Sequence, residues 1–322
     1  MTRLWLFFLL SIQYAFPIEV VYTKKGSSGF TKLDRRDNIA LQMSCGYNKN
    51  IEKWRLAIEG GDLVNRGDVP YAVAITRETR HPAARCGAVV ISKRHILTAT
   101  HCFFNYFENK IPCEKRPTLL KDVDRLVIAF GGVCLRSDRN CDSRDMRLVA
   151  IKNVAYMPQF HNQNCTKGGD IAVVEVEEDF EFGAFLQPAC LFTEKKNNLE
   201  KRLNKMKNVF SCGWGNDHGH SSARLQYIHS KYGTMKYGSD DVIYFVPKDT
   251  KNDRICSGDS GSGIFGYDGG IGRDVLLGVH SHGQGCDDPI NPAENYYYVT
   301  SIIPHVKAIC KLTGVCPPGV IP

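Results

Sequence analysis

Short runs of β-branched and apolar residues recur along this chain, and stretches rich in turn-forming residues separate them. Runs of this length, bounded by turn signals, are typical of β-strands. The recurring runs favour an all-β fold, and no repeat or heptad pattern is visible. The predicted strands cover residues 71–75, 88–91, 126–129, 171–176, 242–246 and 275–279.

A glycine-rich segment at residues 258–263 places Ser260 between two glycines, with Asp259 directly before it. This pattern suits a nucleophilic serine on a tight turn, because small neighbours leave room for a substrate carbonyl. The N–H groups of Gly258 and Ser260 could then point together at an oxyanion. The same residues also suit an ordinary turn, so the segment needs partners before it indicates chemistry.

Two upstream residues supply such partners. His101 follows an apolar segment, and Asp170 opens the predicted strand at 171–176. A serine hydroxyl needs a base with a pKa near 7, which a histidine supplies, and a carboxylate can hold the other ring proton. Taken singly, His101 could be a packed histidine and Asp170 a cap at a strand start. Together, in the order His, Asp, Ser, the three motifs indicate nucleophilic catalysis far more specifically than any one of them does.

Together with these motifs, several segments resemble the chymotrypsin/trypsin family of serine endopeptidases, namely residues 58–61, 70–73, 86–102, 213–215 and 256–263, with Ser281, Gly283 and Cys286 on a pocket wall. The resemblance covers about residues 58 to 310. It implies two six-stranded antiparallel β-barrels in a domain at 58–322. The barrels would span about 58–182 and about 183–305, with a C-terminal helix at about 299–311.

The resemblance also implies a mechanism. Ser260 would be the nucleophile, His101 the general base and Asp170 the group that orients the imidazole, with Gly258 and Ser260 as oxyanion donors. Ser281 would support Asp170, and the backbone up to Gly283 would pair with an extended substrate. The expected partners are a protein or peptide substrate and possible protein inhibitors, with no metal or organic cofactor.

Activation is the first point where the chain departs from the family pattern. Members are usually cut after a basic residue, just before a segment that resembles the one starting at Ile58. The new amino group then pairs with the residue equivalent to Asp259. Here Ala57 precedes Ile58, and the nearest basic residue is Arg55. The activator is then not trypsin-like, or trimming follows, or the chain matures differently.

The specificity pocket is the second departure, because Arg254 stands where trypsin-like members carry an aspartate. A guanidinium there would repel basic substrate side chains and could attract acidic ones. Alternatively Arg254 is neutralised internally, with Glu294 a possible partner, and the pocket is shallow and apolar. His282 replaces the usual tryptophan, and alternation places it on the same side as His280. A metal site there is possible, although two histidines are more often structural.

Thirteen cysteines fit an oxidising compartment. The resemblance implies the pairs Cys86–Cys102, Cys256–Cys286 and Cys45–Cys190. Spacing alone suggests that Cys134 pairs with Cys141. An odd set remains, so one thiol is free or bonds another molecule. This set comprises Cys113, Cys165, Cys212, Cys310 and Cys316.

The N-terminal region has the features of a secreted precursor. Residues 1–15 resemble a signal peptide, and residues 16–57 are polar, as in a flexible pro-segment. No later segment is long and apolar enough to span a bilayer, so we expect a soluble secreted protein without a membrane partner. Asn164 begins a glycosylation acceptor pattern that could be occupied or not.

Charge and alternative functions complete the expectations. The formal net charge is +7, but residues 1–57 hold nine Lys/Arg against four Asp/Glu. The remainder is nearly neutral and gives no reason to expect nucleic-acid binding.

The main alternative to an active peptidase is a catalytically silent homologue with a binding or regulatory role. A weaker alternative, an adhesion or toxin-like scaffold, rests only on the extra cysteines.

Overall fold

The computed structural model describes residues 18–47, 62–79, 81–104, 119–120, 122–162, 165, 168–217, 220–233, 241–283 and 289–321. The expected signal peptide, Ile58, Asn164 and Cys286 lie outside these residues. Within the described ranges, no helix has the length and apolar character needed to cross a membrane.

Strands dominate the described chain. In chain order they are β1 (Glu19–Thr23), β2 (Asp62–Leu63), β3 (Ala72–Arg77), β4 (Cys86–Val90), β5 (His95–Thr98), β6 (Leu126–Phe130), β7 (Arg147–Tyr156), β8 (Ala172–Val176), β9 (Cys190–Leu191), β10 (Lys207–Gly213), β11 (Asn216–Asp217), β12 (His220–Ser221), β13 (Gln226–Tyr232), β14 (Val242–Pro247), β15 (Gly263–Asp268), β16 (Arg273–Gly283) and β17 (Tyr297–Ser301). The helices are α1 (Arg35–Ser44), α2 (Gln159–Asn162), α3 (Lys196–Lys205) and α4 (Val306–Thr313).

Two closed barrels of six antiparallel strands form the body, which confirms the expected fold class. The first follows the order β7-β6-β3-β4-β5-β8 and closes where β7 pairs with β8. The second follows the order β10-β15-β16-β17-β14-β13 and closes where β10 pairs with β13. Each of the six predicted strands overlaps an observed one, because β-branched runs fit the half-buried pleated surface of a barrel wall.

Each barrel is filled by its own side chains, and the two meet along a shared core. Every residue of β4, β5 and β8 is buried, so these strands have no solvent-facing side. The second barrel contributes large buried rings, such as Phe265, whose centroid lies 4.4 Å from that of Tyr71 in the first. The interface between the barrels is therefore a rigid place to hold reactive side chains.

Residues 18–47 are ordered, which differs from the flexible segment that their composition suggested. Strand β1 pairs with β7 and adds a seventh strand to the first sheet. Helix α1 begins at Asp34, whose carboxylate accepts the Asp37 N–H at 2.7 Å. Of α1's side chains only Leu41 is buried, so its polar composition reflects exposed faces of a docked helix.

The C-terminal helix begins later than expected. Residues 299–301 end strand β17, which is held between β14 and β16, and a 3₁₀ turn covers Ile303–His305. Helix α4 then runs to Thr313 and stops at Gly314, whose φ of 74° suits the left-handed C-cap. Pairing with two neighbouring strands overrides the local helical pattern at the start of the predicted range.

Candidate active site

The pairing of β5 with β8 brings His101 and Asp170 together. Thr98 lies opposite Ala172 in this pairing, so the segments beyond these residues leave the same edge of the barrel. His101 Nδ1 lies 2.7 Å from Asp170 Oδ2, and the His101 backbone N–H donates to Asp170 Oδ1 at 3.0 Å. Two contacts between the same residues fix both the position and the plane of the imidazole.

A third hydrogen bond reaches Asp170 from the second barrel. Ser281 Oγ donates to Asp170 Oδ2 at 2.5 Å, and His282 Nδ1 lies 3.1 Å from the same hydroxyl. Burial raises the pKa of Asp170, but the charge and hydrogen bonds of His101 and the Ser281 bond outweigh it. The pKa of Asp170 therefore lies below its usual value, and the carboxylate is ionised at neutral pH.

Ser260 lies on a turn that is anchored to the first barrel. Its carbonyl accepts the Gly87 N–H at 2.8 Å and lies 3.9 Å from Cys102 Sγ, next to His101. Gly261 follows with a φ of 78°, and a Cβ there would meet Thr98 Oγ1 at 2.1 Å. Only glycine allows the serine turn to approach the strand that precedes the histidine.

The geometry of the serine turn also suits an oxyanion site. Gly258 has a φ of 97°, and a Cβ there would lie 3.0 Å from Gly215 Cα and 3.1 Å from the Ala84 carbonyl. The N–H groups of Gly258 and Ser260 make no hydrogen bond within the described residues. Two such backbone donors beside a serine are the arrangement that stabilises a tetrahedral intermediate.

Asp259 lies partly buried behind this turn, without a cationic partner among the described residues. Its carboxylate accepts the N–H groups of Gly215 at 2.8 Å and Cys256 at 3.0 Å. Burial raises the pKa of Asp259 to about 6, against the effect of these two bonds. A cavity of about 370 Å³ borders the carboxylate and is also lined by Cys212 and Arg254. The Asp259 carboxylate, which has no cationic partner among the described residues, thus borders an open cavity.

The predicted specificity residues belong to different elements, since Ser281 and Gly283 lie in β16 and Arg254 lies between β14 and β15. Arg254 is half-buried at the cavity beside Asp259, whereas Glu294 is exposed and forms no ion pair with Arg254, both being described residues. Internal neutralisation of Arg254 therefore stays a prediction, although no ion pair with Glu294 supports it. Gly283 ends strand β16 at the surface, opposite Tyr297.

The two histidines of β16 do not face the same side, contrary to the alternation argument. A register shift separates His280 from His282 in their pairing with β17. The ring of His280 lies 5.6 Å from that of Tyr297, and the ring of His282 stacks on Tyr298 at 4.5 Å. Burial lowers the pKa of His280 to about 3. Tyr297 and Tyr298 are consecutive in β17 and point to opposite faces, so the two imidazoles contact opposite faces of that strand. No group of three potential metal ligands in the described chain includes either histidine.

Four disulfides are described, of which two were implied by the resemblance, one was suggested by spacing and one, Cys310–Cys316, was not predicted. Bonds join Cys45 to Cys190, Cys86 to Cys102, Cys134 to Cys141 and Cys310 to Cys316. Cys165 and Cys256 are also disulfide-bonded, and Cys286 lies outside the described residues. Among the described cysteines, Cys212 alone carries a free thiol, and burial raises its pKa. The odd thiol expected from the sequence is this one.

One group of three potential metal ligands occurs in the described part of the chain. It consists of Cys86, His101 and Cys102. Both of its sulfur atoms belong to the Cys86–Cys102 disulfide and cannot bind a cation as thiolates.

Comparison with known proteins places this geometry in a family. The family model described as Trypsin matches residues 58–305, most of the chain. The chain belongs to the trypsin family.

Its relatives within the trypsin family are distant. Trypsin-like protease try-5 of Caenorhabditis elegans is 25% identical over 297 residues, covering 82% of this chain and 89% of that protein. Human Mannan-binding lectin serine protease 1 is 26% identical over 288 residues, covering 84% of this chain but 38% of that protein. Venom serine protease 34 of Apis mellifera is 25% identical, covering 78% and 58% of the two chains.

Proposed function

We propose that this chain is a secreted serine endopeptidase. The observation that carries the proposal is the imidazole–carboxylate pair of His101 and Asp170 at 2.7 Å, beside a serine turn anchored to the same barrel. Membership of the trypsin family and relatives named as serine proteases support the same chemistry. A catalytically silent homologue is less well supported, because the chain keeps all three residues of the triad.

The reaction is an acyl transfer. His101 keeps its Nδ1 proton in a hydrogen bond to Asp170, so that Nε2 is the ring nitrogen that takes the proton of the Ser260 hydroxyl as Oγ bonds to the peptide carbonyl. The N–H groups of Gly258 and Ser260 stabilise the oxyanion. His101 then protonates the amine as the C–N bond breaks, and water repeats the sequence on the acyl-enzyme.

The cavity beside Asp259 suits activation from a zymogen. A new amino group at Ile58 would supply the cation that the buried carboxylate lacks, and leaving it uncompensated is costly. In the uncut chain, desolvation would hold the pKa of Asp259 above its ordinary value. We propose that cleavage before Ile58, by a protease that does not require a basic residue there, completes the site.

Specificity differs from that of trypsin in this proposal. Arg254 places a permanent positive charge beside the cavity, and a lysine or arginine side chain of the substrate would be repelled. Ser281 and Gly283 offer the edge of β16 to an extended peptide.

Secretion is supported by four disulfides in the described part of the chain and by relatives named as venom proteases. Residues 1–15 would be the signal peptide and Asn164 a glycosylation site.

The test is a fluorophosphonate probe applied to secreted, matured protein whose N-terminus has been sequenced. We expect the wild type to label and Ser260→Ala to remain unlabelled, because the probe needs an activated serine. Ser262→Ala serves as a matched control on the same turn and should still label.

An absence of labelling in protein with a mature terminus at Ile58 would contradict the catalytic proposal. The silent homologue would then be the better account. Profiling of the active protein against a peptide library should show little cleavage after lysine or arginine.

A further inference from the structure

A second buried carboxylate holds the backbone directly before Asp170. Gly169 donates its N–H to Asp241 Oδ2 at 2.7 Å, and Gln159 Nε2 donates to the same oxygen at 3.1 Å. His305 Nε2 lies 2.9 Å from this oxygen. Asp241 is 4% exposed and His305 is fully buried. Asp241 therefore joins helix α2, the loop before β8 and the turn that starts helix α4.

The loop that Asp241 holds has little freedom. Gly169 has a φ of 72°, and a Cβ there would lie 2.4 Å from Gln159 Cγ and 2.7 Å from the Phe160 nitrogen. The Gly169 carbonyl accepts the Ile171 N–H at 2.8 Å. Since Asp170 is the next residue, its carboxylate can meet His101 only while this peptide keeps its orientation.

The chemistry of Asp241 suggests a role beyond packing. Placing a carboxylate in the interior is costly, and an apolar side chain could fill the same space without that cost. The carboxylate instead accepts a hydrogen bond of 2.7 Å from the Gly169 N–H, in the peptide that sets the catalytic aspartate. Groups that orient a reactive residue in this way often matter nearly as much as the residue itself.

We propose that Asp241, supported by His305, is a positioning residue for Asp170. The inference rests on the proposed peptidase function, because it assigns Asp241 a role in the same site. The carboxylate of Asp241 fixes the Gly169 peptide, the peptide fixes Asp170, and Asp170 orients His101. The C-terminal helix thereby contributes to the catalytic geometry through His305.

The kinetic test compares Asp241→Ala with Asp241→Asn in full-length, matured protein. Asp241→Ala should lower kcat by about 10- to 100-fold with KM within about twofold, because a displacement of about 1 Å misaligns the base. Asp241→Asn keeps an acceptor oxygen and should recover most of the loss. Unchanged kcat in a folded Asp241→Ala protein would overturn the proposal.

Glu175→Ala is the matched control. Glu175 is also a buried carboxylate, but it binds Asn153, Lys152 and the Thr31 N–H, away from Asp170. This variant should lose stability and keep its kcat. In an Asp170→Ala background, Asp241→Ala should cause no further fall in kcat, whereas an equal loss in both backgrounds would mean a purely structural role.

A spectroscopic measurement separates this inference from the peptidase function. The proton shared by His101 Nδ1 and Asp170 should give a low-field ¹H NMR resonance in the wild type and in Glu175→Ala. The resonance should be lost or shifted in Asp241→Ala. If the wild type hydrolyses no peptide, the proposed function fails, while the resonance still decides whether Asp241 positions Asp170.

Discussion

At the scale of single residues, Asp259 is closely surrounded by backbone but has no cationic partner among the described residues. Its neighbours Gly213 and Gly215 are glycines because a Cβ at either would lie within 2.3 Å of the carboxylate. The two backbone N–H groups that bind Asp259 do not offset its burial, and its pKa rises to about 6. The uncut chain thus carries an ionised group that destabilises it at neutral pH.

Replacing this carboxylate should change how stability depends on pH. Between the ordinary value of 3.8 and about 6, the native state binds more protons at Asp259 than the unfolded state does. Stability from this group therefore falls as pH rises through that window. Relative to wild type, Asp259→Asn should gain up to about 3 kcal/mol between pH 4 and pH 8. Urea unfolding of the uncut chain at each pH measures the difference.

The exposed Glu294→Gln variant should show no such trend. A difference between Asp259→Asn and wild type that stays constant with pH would mean that Asp259 is already paired with a cation in the uncut chain.

At the scale of elements, helix α1 is held by an arginine from another part of the fold. Arg273, which opens β16, donates from Nη1 to the Gln42 carbonyl at 2.9 Å and from Nη2 to the Met43 carbonyl at 2.7 Å. These carbonyls belong to the last turn of the helix, where no following turn supplies N–H donors and a positive charge is favourable. The helix therefore depends on a contact more than 200 residues away.

Arg273→Ala should destabilise the chain by about 2 kcal/mol, because the bonds lost are charge-assisted and the one to Gln42 is partly buried. Thermal unfolding and protease sensitivity of residues 35–44 measure the effect. Arg144→Ala removes an exposed arginine paired with Asp142 and should leave stability nearly unchanged. Equal effects of the two substitutions would mean that Arg273 does not hold the helix.

The sequence predicted those elements that depend on residues adjacent in the chain. The β-branched runs of barrel walls and the serine turn could be found from the sequence, since burial and turn geometry act on adjacent residues. Strand β1 could not, because its structure comes from pairing Glu19 with Tyr156. Asp241 also carried no signal, since it meets Gly169 only after β14 has joined the second barrel.

At the scale of the whole molecule, the segment before Ile58 bridges both barrels. Strand β1 extends the first sheet, while Cys45 is bonded to Cys190 in β9, which pairs with β16 of the second. Lys24 and Glu177 add an exposed ion pair to the first contact. If cleavage before Ile58 activates the chain, the leading segment stays attached.

Matured protein should therefore migrate as one species without reductant and as two with it. A Cys45→Ser variant, cut in the same way, should separate into two species in denaturant alone. Two species from unreduced wild type would contradict the pairing of Cys45 with Cys190 in the mature protein. Electrophoresis with and without reductant makes the measurement.

The contacts between residues 33–38 and the end of helix α4 have a consequence for biosynthesis. Leu33 donates its N–H to the Thr313 carbonyl at 2.8 Å, and Asn38 exchanges two hydrogen bonds with the backbone of Cys316. A ribosome makes residues 33–38 almost 300 residues before their partners, counting by the 278 positions between Asn38 and Cys316. Residues 33–38 therefore cannot make these contacts until translation is nearly finished, so this early part of the chain completes its packing late.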